Sequence, residues 1–472
     1  MREPKNVVII RSDAIGDWLV TTPVVAALKQ AFPALRLTMV GGSLNWKLMR
    51  EHPLVDDVIV WHEHMDVAAK TRQLATYGFD LALIYHQTLA HTLACQRAGI
   101  PVRMGDSARI PSGRYLTEHT PVINADQSRH VVEANMGVLA PMGLSTLRLP
   151  MSAGINPVAR ENIQARLLSQ GWTPQQPLVG IHLNPGGANR SWPAERMAQT
   201  MKLIHEKHTE WFFVLTGTEL ACGMRDQVLR IKSDSIFDLV GQTSLSELSA
   251  LSSLYSLFVG VDSGPYHLAV AHGVPTVEIA PTKAVRPIRW GPWLVPNVVL
   301  RSPIRCALYC DHQRCPVDDC LNAITPESVA QAADSLLAGG GNRTYEDSKK
   351  DWFKKSQSIV LIDSGLRTQD VERARQVLSQ DPDIRVVVWP FSIKQAWRLA
   401  ALARRIQADD VTTWILDDPY WLPYFKAAHL YAPLKVFVPP LLVMLPSYVH
   451  ATSGAWVDWL MAENSKLGQT LR

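Results

Sequence analysis

The sequence predicts an α/β protein: two doubly wound, parallel-sheet units in tandem, then a smaller α/β unit. Three observations lead there. Short β-rich apolar runs alternate with amphipathic helical segments from residue 7 onward. The alternation starts afresh at Leu178. Gly339-Gly340-Gly341 then opens a polar stretch, beyond which strand-like runs begin again. Such alternation belongs to parallel sheets covered by helices on both faces.

Val7–Ile10 is the first strand and ends in Arg11-Ser12-Asp13-Ala14-Ile15-Gly16-Asp17. One amphipathic helix is expected next, with Leu19, Val20, Val24, Ala27 and Leu28 near helical spacing and Pro33 past its end. Leu37–Val40, closed by Gly41-Gly42, is the second strand, and Val58–Trp61 and Leu81–Tyr85 repeat the pattern. This unit fills residues 1–155. The second, residues 156–338, has strands at Leu178–Leu183, Trp211–Thr216, Phe237–Val240, Leu257–Val261 and Thr276–Ala280. Residues 339–355 read as a linker. Residues 356–472 read as an additional α/β domain, with strands at Ile359–Ile362, Ile384–Val388, Val411–Ile415 and Leu434–Val438. Two similar halves suggest a ligand cleft between them, at the carboxyl ends of the strands.

Composition excludes several classes. Of 472 residues, 47% are hydrophobic and 19% charged, so the chain buries ordinary cores. The net charge of +4 argues against a dedicated nucleic-acid binder. Mean hydropathy is −0.01, and no uninterrupted apolar window reaches the ~18 residues of a membrane span. Met1–Lys5 is polar and leads straight into a strand, which leaves no room for a signal peptide, so a cytoplasmic protein is expected. Fifteen tryptophans are the compositional oddity.

Three segments carry chemistry, each following a strand. In the first, Gly16 beside Asp17 lets the backbone approach a ligand and puts a carboxylate on the first helical turn. Asp17 is then a candidate general base, with Asp13 second; alternatively, either one merely caps the helix. The second, His182-Leu183-Asn184-Pro185-Gly186-Gly187-Ala188-Asn189-Arg190-Ser191-Trp192-Pro193, joins small residues and a guanidinium, a suitable anion site for a diphosphate. Its plain alternative is a surface loop with Trp192 as a lid over the domain edge. In the third, a strand ends at Asp262 and Ser263-Gly264-Pro265 opens a helix, whose unpaired N–H groups and dipole favour phosphate. His267 adds a donor there or is a satisfied core histidine. Pro281-Thr282-Lys283 repeats the polar-turn form after the next strand; Thr282 and Lys283 line a nucleotide pocket or simply make a turn.

In this order and spacing, the segments resemble the lipopolysaccharide heptosyltransferase family, ADP-heptose-dependent inverting glycosyltransferases of GT-B fold (glycosyltransferase family 9). The resemblance covers about residues 5–335. It implies heptose transfer to a lipopolysaccharide core or related glycan, with Asp17 as base and no metal required for catalysis. It implies donor contacts from Asn184, Gly186, Gly187, Arg190, Asp262, Ser263, Gly264 and His267. Arg190 stands where relatives often have Lys. By alignment, Thr243 falls at a base contact and Glu219 near the ribose. A nucleotide-diphospho-sugar donor and a lipid-linked or glycan acceptor are the implied partners, with peripheral association at the cytoplasmic face of the inner membrane and no nucleic acid. The chemistry fits: displacement at an anomeric carbon needs a base at the acceptor hydroxyl and charge stabilisation at the departing diphosphate. No Asp-x-Asp pair lies in the site loops; Asp56-Asp57 and Asp417-Asp418 fall outside the motifs.

Cys306, Cys310, Cys315 and Cys320 also occur as a cluster in many relatives. Four thiolates suit a structural zinc or iron, but their spacings depart from paired C-x₂-C, so buried reduced thiols are the alternative. Residues 356–472 are rich in aromatics, among them Trp397, Trp414, Trp421, Trp456 and Trp459, which suit core and interface packing or sugar stacking. Arg398, Arg404 and Arg405 form a solvated face or meet anionic lipid. Two other functions fit the same fold: a transferase or sugar epimerase using another nucleotide sugar, and a non-catalytic glycan- or nucleotide-binding protein.

Overall fold

The computed structural model describes residues 3–107, 111–118, 120, 129–183, 191–231, 235–280, 287–301 and 323–339, and six strands beyond residue 356. The chain divides into two compact units. The first holds the described residues up to Gly339.

Its first half runs β1 (Asn6–Ile10), α1 (Ile15–Leu19), α2 (Thr22–Ala31), β2 (Arg36–Gly41), α3 (Trp46–Glu51), β3 (Asp57–Val60), α4 (Val67–Ala75), β4 (Leu81–Ile84), α5 (Leu89–Arg97) and β5 (Val102–Gly105). The strands are all parallel, in the order β3-β2-β1-β4-β5. Period-two alternation splits this sheet between two cores. Val7, Ile9, Leu37, Met39, Leu81 and Leu83 belong to one apolar cluster. Val8, Ile10, Val40, Ala82 and Ile84 belong to another, with Leu74 of α4 and Ala94 of α5. Both faces are therefore buried, which is why the strands read as continuous apolar runs.

The single helix expected after β1 is two helices. α1 stops at Leu19 because Pro23 takes the second position of α2, where its missing N–H costs nothing. Two hydroxyls collect the carbonyls left over: Thr21 Oγ1 donates to Asp17 O at 2.8 Å, and Thr22 Oγ1 to Leu19 O at 2.7 Å.

After α6 (Val131–Gly137) and α7 (Pro157–Ser169) the pattern repeats: β6 (Leu178–Leu183), α8 (Ala194–Lys207), β7 (Phe212–Gly217), α9 (Cys222–Val228), β8 (Ile236–Asp238), α10 (Leu245–Ser252), β9 (Leu257–Val261), α11 (Gly264–Ala271), β10 (Thr276–Ala280), α12 (Pro287–Trp290) and β11 (Asn297–Arg301). This sheet is also parallel, ordered β11-β10-β9-β6-β7-β8. Both sheets reverse winding between their first and fourth strands, the switch point where ligands of such folds bind. Sequence patterning missed β5 and β11. Each is an edge strand carrying an arginine, Arg103 and Arg301, as edges exposed to solvent commonly do.

The two halves share one apolar core. The cluster containing Val7 and Ile9 also contains Leu178, Phe258, Tyr266 and Trp293. Polar bonds reinforce the seam. Ser249 Oγ donates to Gly154 O at 2.9 Å. Glu51 Oε1 accepts from Ser246 Oγ at 2.5 Å and Asn156 Nδ2 at 3.3 Å. His130 stacks on Trp293 with ring centroids 4.8 Å apart, and Trp293 Nε1 donates to Leu149 O at 2.8 Å.

The second unit holds β12 (Gln357–Asp363), β13 (Ile384–Pro390) and β14 (Val411–Leu416) as a parallel sheet ordered β13-β12-β14. β15 (Lys435–Val438), β16 (Leu441–Met444) and β17 (Ser447–His450) form an antiparallel meander. The four strands expected there are present, and β16 and β17 are additions to the sequence reading. The helical pieces expected between the strands lie outside the described residues, as does most of the linker.

Candidate active site

Arg11 leaves the end of β1 and turns inward, 5% exposed. Its Nε donates to Asp17 O at 2.9 Å and its Nη2 to Asp17 Oδ1 at 2.8 Å. Its Nη1 pairs with Asp13 Oδ2 at 3.1 Å. One buried guanidinium thus holds both aspartates that the sequence singled out. Neither caps α1: the capping position is Ala14, with no side-chain hydrogen bond. The capping alternative is overturned because both carboxylates face Arg11 instead.

Both aspartates line a cavity of about 330 Å³, within the range of small-molecule sites. Its polar wall continues through His86, Gln87 and Asp106, at the carboxyl ends of β4 and β5. Gln87 is fixed by donating to Asp106 O at 3.0 Å and accepting from Asp106 N at 2.7 Å. His86 Nδ1 lies 2.9 Å from Ser12 Oγ. From the second half, Arg289 and Trp290 complete the lining.

The second half also meets α1 directly. A methyl added at Gly16 would stand 2.7 Å from His267 Cδ2, too close for any side chain. A methyl at Gly264 would reach Ile15 Cβ at 3.5 Å, an ordinary contact. The starts of α1 and α11 therefore abut, and glycine at 16 is what permits it. Ser263 caps α11, its Oγ accepting from Tyr266 N at 3.4 Å. His267 is 3% exposed, and its Nε2 lies 3.1 Å from Asp262 Oδ1. Its Nδ1 has no hydrogen-bond partner among the described residues. His267 is both a buried histidine and a polar one with a nitrogen to spare.

Glu219 and Thr243 sit on neighbouring loops after β7 and β8. A methyl at Gly241 would lie 3.1 Å from Glu219 Cγ, and Gly241 has φ 72°. Trp192 is 3% exposed, so its ring is packed and not in solvent. Asn184, Gly186, Gly187, Arg190, Thr282, Lys283 and the cluster Cys306, Cys310, Cys315 and Cys320 lie outside the described residues.

Sequence reasoning missed Arg11 as a functional residue, along with His86, Gln87, Asp106, Arg289 and Trp290. The rule that sites gather after parallel strands would have found Arg11, His86 and Gln87, which follow runs already read as strands. It also missed Glu278, fully buried in the middle of β10. Tyr266 Oη donates to Glu278 Oε2 at 3.0 Å. Burial first, and then the negative charge of Asp262, push the Glu278 carboxyl up to about 8, against a smaller opposing effect from the Tyr266 hydrogen bond. A carboxyl raised this way is neutral in the fold where the unfolded chain is ionised. Its contribution is complete below pH 4.5 and is lost as pH rises through about 8. The Glu278→Gln variant should therefore match wild type near pH 5 and exceed it in stability at pH 8. Denaturant midpoints across pH 5–8.5 check this; an equally steep decline in both proteins would refute it.

Comparison with known proteins follows the same outline. The model of glycosyltransferase family 9 (heptosyltransferase) matches residues 67–320. The chain is 24% identical over 297 residues to lipopolysaccharide heptosyltransferase 3 of Escherichia coli K12, covering 59% of this chain and 82% of that one. It is 28% identical over 331 residues to lipooligosaccharide heptosyltransferase 2 of Campylobacter jejuni, covering 68% and 95%. Among solved structures it is similar to a family 9 glycosyl transferase from Veillonella parvula, with TM-score 0.62 and 22% identity over 71% of this chain and 98% of that one. ADP-heptose lps heptosyltransferase II of E. coli gives TM-score 0.54 and 19% identity, covering 71% and 99%.

Proposed function

The chain belongs to glycosyltransferase family 9, the heptosyltransferase family, and we propose on that premise that it moves a heptose from ADP-heptose to a lipopolysaccharide core or related glycan. Its two doubly wound sheets are the GT-B arrangement. In this reading residues 1–155 receive the acceptor and 156–338 hold the donor. The observation that carries it is the pairing of a clamped carboxylate in a cavity, Asp17, with a helix start from the other half touching its own turn.

The reaction is a single displacement with inversion. The acceptor hydroxyl enters the cavity and gives its proton to Asp17. Its oxygen bonds to the anomeric carbon as the bond from that carbon to the diphosphate oxygen breaks, and ADP departs. The N–H groups at the start of α11 stabilise the departing charge, helped by Arg190 and by His267, whose Nδ1 donates when both ring nitrogens carry protons. Asp262 orients His267 from 3.1 Å. Asn184, Gly186 and Gly187 supply backbone to the diphosphate, Thr243 meets the base, Glu219 the ribose, and Thr282 and Lys283 the nucleotide. No step uses a metal, and the four cysteines, with or without a structural zinc or iron, take no part in it. Among the described residues no helix is long and apolar enough to cross a membrane. A lipid-linked acceptor would be met at the cytoplasmic face of the inner membrane by peripheral association.

A thermal-shift series with ADP-, UDP- and GDP-sugars tests the donor. ADP-heptose should raise the melting point most, since a ligand at a hundred times its Kd stabilises by about 2.7 kcal/mol. A shift with UDP-sugars alone would remove the heptose assignment and leave the fold intact.

A further inference from the structure

We propose that Arg11 is the positioning residue of the catalytic base, a role that rests on Asp17 being that base. The guanidinium grips Asp17 at two points, the backbone O at 2.9 Å and Oδ1 at 2.8 Å. A helix turn and its side chain are thereby locked together, and the remaining oxygen, Oδ2, makes no bond among the described residues. That oxygen is the one left for an acceptor hydroxyl in the cavity.

Arg11 is itself held. Its N donates to Val40 O at 3.0 Å, and its O accepts from Asn45 Nδ2 at 2.9 Å. Asn45 also donates to Asp13 O at 3.2 Å, which ties the turn to the β2 end. Asp13 pairs with the third nitrogen. A lysine offers one point charge in place of the planar fork and cannot hold both the backbone and the carboxylate of residue 17 in the same geometry.

The test is kcat and donor KM for full-length wild type, Arg11→Lys, Arg11→Met and Asp17→Asn, with donor thermal shifts alongside. Arg11→Met should lower kcat at least about tenfold with the donor KM unchanged, since the base is then free to turn away from its attacking position while the donor contacts stay. Its shift with ADP-heptose should persist, because the donor is held by the other half. Arg11→Lys should recover part of that kcat and stay below wild type. If Arg11→Met fails to fold, Arg11→Lys carries the test alone: reduced kcat with a wild-type donor KM supports the role, and wild-type kcat overturns it. An Arg11→Met kcat matching wild type, with Asp17→Asn inactive, overturns this inference and spares the base assignment. An active Asp17→Asn overturns both.

Discussion

The Asp17→Asn variant should lose about a hundredfold to ten-thousandfold in kcat while still binding donor, the usual loss when a positioned base is removed. The substitution keeps shape and leaves Oδ1 to accept from Arg11, so the turn should stay in place. Its melting point and its shift with ADP-heptose should match wild type, which separates chemistry from folding. Asp13→Asn is the informative partner. Asp13 lines the same cavity and shares the same arginine, but that ion pair, at 3.1 Å, is made through a single nitrogen and involves no backbone grip. It should retain more activity than Asp17→Asn. If the two variants fall equally, or if Asp13→Asn falls further, the base is misassigned within the turn.

Gly154→Ala is expected to be the most damaging small substitution away from the chemistry. A methyl there would stand 2.0 Å from Glu51 O and 2.3 Å from Glu51 C, both backbone atoms that no rotamer change can clear. The segment crossing between the halves would have to move off α3, and the bond from Ser249 Oγ to Gly154 O would move with it. A loss of about 3 kcal/mol or more is the scale of such overpacking. Gly78→Ala is the control, with φ 62° but nothing within 4 Å of the added methyl. It should cost only the ~1–2 kcal/mol of a left-handed backbone. Denaturant unfolding of both variants decides: equal losses would mean the crossing segment is not pinched as described.

Most of the fold was legible because its central strands are covered on both sides and so are almost continuously apolar. Val7–Ile10, Leu178–Leu183 and Leu257–Val261 could be read almost to the residue. Two of the four edges, β5 and β11, could not: Val102–Gly105 is broken by Arg103, and an edge strand has less need to be apolar. The break between α1 and α2 was hidden because Leu19, Val20 and Val24 fit one helical face whether or not the helix is continuous. The site was legible wherever a glycine or a helix opening marked it, as at Gly16-Asp17 and Asp262-Ser263-Gly264. It was illegible where the partner is distant in sequence. Nothing near Arg289 or Trp290 tells that they close a cavity begun at Arg11. Glu278 looked like part of an apolar strand, since its partner Tyr266 lies on the preceding helix.

Because one apolar core runs beneath both sheets, the halves are not exchangeable cassettes. A chimera joined near residue 155 would set a foreign helix start against Gly16 and a foreign α10 against Glu51 and Gly154, each fitted here at contact distance. The block that has to travel together is the α1 turn, the crossing segment and the α10–α11 pair. Recombination between relatives therefore has its natural seams inside each half, out towards the sheet edges, and not at the boundary between them.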